Sequence, residues 1–147
     1  MNASKLANGG GERGMELTLE KAKKVVAGAE ARAKEIGVPM NIAVVDLGGN
    51  LVAFERMDKA WLGSINIAMN KAFTAVAFNM TTEDLGKASQ PRESLFGIHA
   101  SNNGRLIIFG GGIPLRKGDE LVGGIGVSGG AVPQDIEVAE AGVAAFK

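Results

Sequence analysis

Apolar residues near the start of the chain recur at three- and four-residue spacing. Leu19, Ala22, Val26, Ala29, Ala33 and Ile36 form this series, the pattern of a helix with one buried stripe. Thr18 is a suitable N-cap, and Gly37 followed by Pro39 is a stop signal, so the spacing predicts a helix from Thr18 to about Ile36. The period then changes. MNIAVVD and LVAFERM are short β-rich runs joined by LGGN, which predicts a hairpin of Met40–Asp46 with Leu51–Met57. SINIAMNKAFTAVAF predicts a second helix, Ser64–Phe78, that is poor in charge. One stripe runs through Ile65, Met69, Ala72 and Val76 and another through Ser64, Ile67, Lys71, Thr74 and Phe78, so it is buried on more than one side.

Thr81 or Thr82 caps a short helical turn ahead of Gly86, and Ser89–Ser101 is a long connection containing Pro91 and His99. NNG turns the chain into a predicted strand, Arg105–Phe109, and RKGDE separates it from a strand at Leu121–Ser128. Pro133 suits the first turn of a last helix with Ile136, Ala139, Val143 and Phe146 on one face. Helix, hairpin, helix, hairpin, helix is the order of an α+β domain with an antiparallel sheet. Residues 17–147 are read as that single domain, and the Gly-rich residues 1–16 as a flexible leader.

Composition narrows the function classes. The chain has 147 residues and is 46% hydrophobic, enough for one core. Its 16 Lys+Arg balance 16 Asp+Glu, so it lacks the basic excess of a duplex-binding protein, and no nucleic-acid partner is expected. Near-zero charge permits self-association. The absence of cysteine removes disulfides, thiolate metal sites and cysteine nucleophiles. No apolar run approaches the roughly 20 residues needed to cross a bilayer, and the first residues lack the apolar core of a signal peptide. A cytoplasmic protein with no membrane partner is the expectation.

The glycines invite a phosphate site, and the surrounding residues argue against one. Gly124, Gly126 and Gly129 have the dinucleotide-binding spacing, but they lie in a predicted strand with no suitably placed acidic residue after it. Neither glycine run is followed by Lys-Ser/Thr, which excludes a P-loop. The triplet Gly110, Gly111 and Gly112 then marks a close backbone approach or an unusual turn. SGGAVPQD, opening the last helix, offers backbone N–H groups to a carboxylate or phosphate. The sole histidine, His99, excludes a two-histidine metal site within one chain, and no metal is expected. Ser64 and Lys71 lie roughly 10 Å apart along a helix, too far for direct proton transfer. Arg56, Asp58 and Trp61 form either an ion-paired corner or the rim of a pocket.

Five linked segments carry a family resemblance: VVDLGGNLVAFERMDKAW, SINIAMNKAFTAVAF, QPRESLFGI, IIFGGGIPL and GGIGVSGGAVPQD. In order and spacing the chain resembles the GlcG/HbpS family from about Leu17 to Phe146. It is most similar to members associated with glycerol and propanediol utilisation and to the C-terminal domain of PduO-type proteins. The resemblance implies a profilin-like α/β/α sandwich around a five-stranded antiparallel sheet, and homo-oligomers: dimers, tetramers or octamers. It implies a small-molecule ligand, with haem as the candidate cofactor or a corrinoid-related compound, in a protein accessory to a catabolic operon. The adenosyltransferase chemistry of full-length PduO belongs to another domain.

Carried over by motif, Arg56, Met57 and Asp58 match the family's RMD corner, with Lys59 where glycine is usual. Ser64, Lys71 and Thr74 match the helix motif. Gly110, Gly111, Gly112 and Pro114 match GGxP, and Ser128, Gly129, Gly130 and Gln134, with Asp135, match the last motif. These residues and Trp61 are the candidate ligand-binding set, and His99 and Met57 are the candidate haem ligands. The alternatives are an enzyme acting on a small anionic or hydroxy/aldehyde metabolite, with Arg56 or Lys71 holding the anion and Asp58 or His99 moving protons, and a structural assembly subunit. No complete catalytic constellation is visible.

Overall fold

The computed structural model describes residues 17–147, so the leader expected over 1–16 lies outside the described residues. Thr18 caps helix α1 (Leu19–Ile36): its hydroxyl accepts the Lys21 N–H at 3.1 Å. Gly37 ends the helix in the left-handed conformation and returns its N–H to Ala33 and Lys34. Strands β1 (Asn41–Asp46) and β2 (Leu51–Arg56) form the expected hairpin. Asp46 holds the turn by accepting the Gly48 and Asn50 N–H groups. Helix α2 runs over Gly63–Phe78 and helix α3 over Thr82–Ala88. Thr81 caps α3 through the Asp84 N–H, whereas the buried Thr82 hydroxyl accepts the Gly112 N–H. Strands β3 (Gly112–Lys117) and β4 (Glu120–Ser128) make the second hairpin, and α4 (Val132–Phe146) closes the chain.

The sheet order is β2-β1-β4-β3, antiparallel throughout. Among the described residues it has four strands where the resemblance implied five, so β2 and β3 are its edges. Alternation along β1 sets the layers. Ile42 and Val44 join a core with α1 and α4, while Ala43 and Val45 join Ala68, Ala72 and Val76 of α2 on the opposite face. Among the described residues no helix is long and apolar enough to cross a membrane.

One expected strand is corrected. Arg105–Phe109 forms no strand; the ladder begins at Gly112. The run crosses α2 and α3 instead of joining the sheet. The Ile107 N–H donates to the Thr74 hydroxyl at 3.1 Å, so a side chain satisfies what a neighbouring strand would have satisfied. The Ile108 carbonyl lies so close to Gly86 that a Cβ there would stand 2.2 Å from it.

Helix α2 approaches the sheet closely because β4 and the start of β3 are stripped of side chains beneath it. A Cβ on Gly126 would lie 2.0 Å from the Ala68 carbonyl oxygen, and one on Gly112 would lie 2.5 Å from that of Lys71. Substitution of Gly126 by alanine is therefore expected to cost about 1–3 kcal/mol through overpacking. Gly63→Ala, where nothing lies within 4 Å, is expected to be neutral or slightly stabilising. Urea denaturation of the two variants beside the parent protein checks both.

Candidate functional site

Two adjoining hollows lie along one end of the sheet, with Gly37, Val38 and Pro39 in the walls of both. The first encloses about 390 Å³ and takes Glu30 and Lys34 from α1 and Glu55 through Asp58 from β2 and the turn after it. The second encloses about 500 Å³ and takes Lys59, Trp61, Gly129, Gly130 and Gln134. The hairpin geometry explains the convergence. Asn41 pairs with both Arg56 and Ser128, so the chain leaving β2 and the chain leaving β4 emerge at the same end of the sheet.

Seven of the sequence-predicted residues therefore meet along one groove: Arg56, Met57, Asp58, Trp61, Gly129, Gly130 and Gln134. Several are already engaged. The Arg56 guanidinium donates to the Ala60 carbonyl at 2.9 and 3.1 Å. The Met57 sulfur accepts the Met40 N–H at 3.4 Å. Lys59 keeps the positive φ (70°) suited to glycine, which places a cation at the mouth at a cost of about 1–2 kcal/mol in local conformation. The Trp61 ring is 65% exposed, an open position for a tryptophan.

The remaining predicted residues lie elsewhere. Ser64, Thr74, Ser128 and Gly110–Gly112 are buried, Thr74 against the Arg105–Phe109 run, Gly110 against α4, and Gly111 and Gly112 against Lys71 of α2. Pro114 is buried in edge strand β3, beside a separate hollow at the end of α4. His99 is exposed on a 3₁₀ turn, Ile98–Ala100, of the long connection and lines neither hollow of the groove.

Lys71 has no exposed surface. Its ammonium donates to the Asp135 carboxylate at 2.9 Å and the Val127 carbonyl at 2.8 Å, and it lies 5.0 Å from the centre of the Phe109 ring. Gly111 makes room for it, since a Cβ there would stand 2.6 Å from Nζ. Burial pulls the lysine down from its ordinary value and pushes the Asp135 carboxyl up, and the partner's charge opposes each shift. The other Asp135 oxygen accepts the Gly130 N–H at 2.9 Å, and the Gly129 N–H also stabilises that carboxylate. Gln134 Oε1 takes the Ala131 N–H at 2.9 Å. The anion cradle expected at SGGAVPQD is thus filled from within, by the protein's own carboxylate. The glycine triplet accommodates a buried lysine.

Sequence reasoning missed Glu30, Lys34 and Glu55, which line the first hollow. No periodicity joins α1 to β2 side by side; only the fold does so.

Residues 17–144 match the family described as "Haem degrading protein HbpS-like". The chain belongs to this family. Among its HbpS-like relatives is a 15.0 kDa protein from the dhaT–dhaS intergenic region of Citrobacter freundii, 43% identical over 88% of this chain and 92% of that protein. The corrinoid adenosyltransferase PduO of the same organism is 39% identical over 92% of this chain, which spans only 40% of PduO. The crystal structure of a PduOC–haem complex superposes with a TM-score of 0.85, at 36% identity, over 88% of this chain and 94% of that one.

Removing one partner of the Lys71–Asp135 pair strands a buried charge. Lys71→Met is expected to cost about 3–5 kcal/mol, and Lys71→Met combined with Asp135→Asn appreciably less than the sum of the singles. Chemical denaturation through the double-mutant cycle measures this.

Proposed function

We propose that this protein binds a flat, anionic tetrapyrrole, haem or a corrinoid-related compound, in the groove between Glu55 and Gln134. The observation carrying the reading is the exposed Trp61 beside cations in a groove with apolar walls at Val38 and Pro39. The residues present fit such a ligand. Trp61, Val38 and Pro39 suit a macrocycle face, and Lys34 and Lys59 suit peripheral carboxylates. Met57 is the side chain in the groove whose sulfur could reach a haem iron, on giving up the Met40 N–H. Bound haem would supply a redox-active iron; the protein's part is to hold and orient it. The relative solved as a haem complex supports the ligand class.

An accessory role in diol or glycerol catabolism is supported by the relatives that carry the PduO and dhaT–dhaS names. A homo-oligomer is supported by exposed Leu62, Leu95 and Phe96. The enzyme alternative keeps Arg56 and Asp58 in the groove and loses Lys71, committed to Asp135, and His99, outside the groove.

Haemin titration tests the reading. A Soret band growing to a fixed stoichiometry, with parallel quenching of Trp61 fluorescence, is expected. Trp61→Ala should weaken binding by about threefold to tenfold, and Met57→Leu should shift the Soret maximum. Non-saturating absorbance without quenching overturns the proposal. Loss confined to His99→Ala would move the site to the surface connection and away from the groove.

A further inference from the structure

Glu55 pairs in register with Ile42, a residue of the core beneath α1 and α4, so its side chain points to the α1 face. Glu30 approaches from α1, and the two carboxyls line the same hollows within reach of one hydrogen bond. Two carboxylates held side by side repel when both are ionised, so one of them keeps its proton to higher pH. Glu55 is that one. Burial disfavours its ionised form, and the hydrogen bond and charge of Glu30 add to this, holding it up to about 7. The hydrogen bond from Glu55, together with the Lys34 ammonium at 3.2 Å, holds Glu30 below its ordinary value.

The pair stands where two spaces meet. Both carboxyls line the first hollow of the groove, and both line a further hollow of about 390 Å³ bounded by Val26 of α1 and Phe54 of β2. The charged neighbours are few. Lys23 and Lys34 come from α1, Arg56 and Asp58 from β2 and the following turn. Arg32 is committed to Glu35 and to Glu137 of α4. On this face β1 presents Ile42 and Val44. The attraction of Lys34 on Glu55 is outweighed by burial and Glu30.

We propose that the Glu30–Glu55 carboxyl pair is a proton-operated latch holding α1 against edge strand β2, so that the mouth of the groove loosens when the shared proton leaves. Loss of the proton replaces a hydrogen bond with the repulsion of two carboxylates. Strand β2 is the element that yields, because it has a neighbour only in β1, whereas α1 is packed along α4. The latch does not depend on which ligand the groove takes.

The sign follows from linkage. In the unfolded chain Glu55 loses its proton near its ordinary value, about 4.5, so between about 4.5 and about 7 the folded state binds more protons. The Glu55 contribution is complete below that window and disappears as pH rises through it. Glu55→Gln keeps a donor for Glu30 and removes the titration.

Carbon-13 NMR of the glutamate carboxyls tests the proton, and hydrogen exchange tests the latch. A midpoint near 7 is expected for Glu55, falling towards the ordinary glutamate value in Glu30→Gln. Protection of the Leu51–Arg56 amides, corrected for intrinsic rates, should fall severalfold between about pH 6 and about pH 8 in the parent protein and stay level in Glu55→Gln. A Glu55 midpoint near 4.5 overturns the proposal. So does β2 protection that follows pH equally in both proteins, or in neither.

Discussion

The buried ion pair between Lys71 and Asp135 ties this fold together. A lysine with no exposed surface is tolerable only if its charge is answered, and here a carboxylate, a carbonyl and an aromatic ring answer it. Each partner comes from a different part of the chain. Val127 belongs to β4, Asp135 to the first turns of α4, and Phe109 to the segment that crosses α2. One ammonium group therefore registers α2 against the sheet, α4 against the end of β4, and the crossing segment against both. The same carboxylate fixes the Gly129–Gly130 turn through its second oxygen. The second hollow of the groove thus inherits its wall from an almost wholly buried pair.

This arrangement also explains the glycines. Their density in IIFGGGIPL and GGIGVSGG looks like provision for a ligand's phosphate, and the physical demand is internal. Lys71 needs space at Gly111, its own backbone needs space at Gly112, and α2 needs space along Gly126. The two explanations leave the same trace in a sequence, because both ask for a backbone without Cβ atoms. Only the position of the lysine distinguishes them.

The helices and the first hairpin were legible because each is written in local terms: spacing, a capping threonine, a stop glycine and a turn. The Arg105–Phe109 run misled for the converse reason. Its apolar residues are those of a strand, but its N–H partner is a threonine hydroxyl on another helix, and composition carries no record of that. At the site, the RMD corner and the GG…Q turn were legible through the family motifs. Glu30 and Glu55 were not, because an acidic residue on a helix and another on an edge strand each read as ordinary surface. Their meeting is a product of how α1 lies across the sheet.

The two margins of the sheet are unlike one another. Strand β3 carries Pro114, which has no N–H to offer, and ends in Arg116 and Lys117. Strand β2 has no proline. An edge strand presents a row of unpaired N–H and C=O groups to which a further strand can add. Among the described residues the β3 margin is blunted against strand addition and the β2 margin is not. A strand added to this sheet would meet a full set of backbone groups at β2 and a missing N–H at Pro114 in β3.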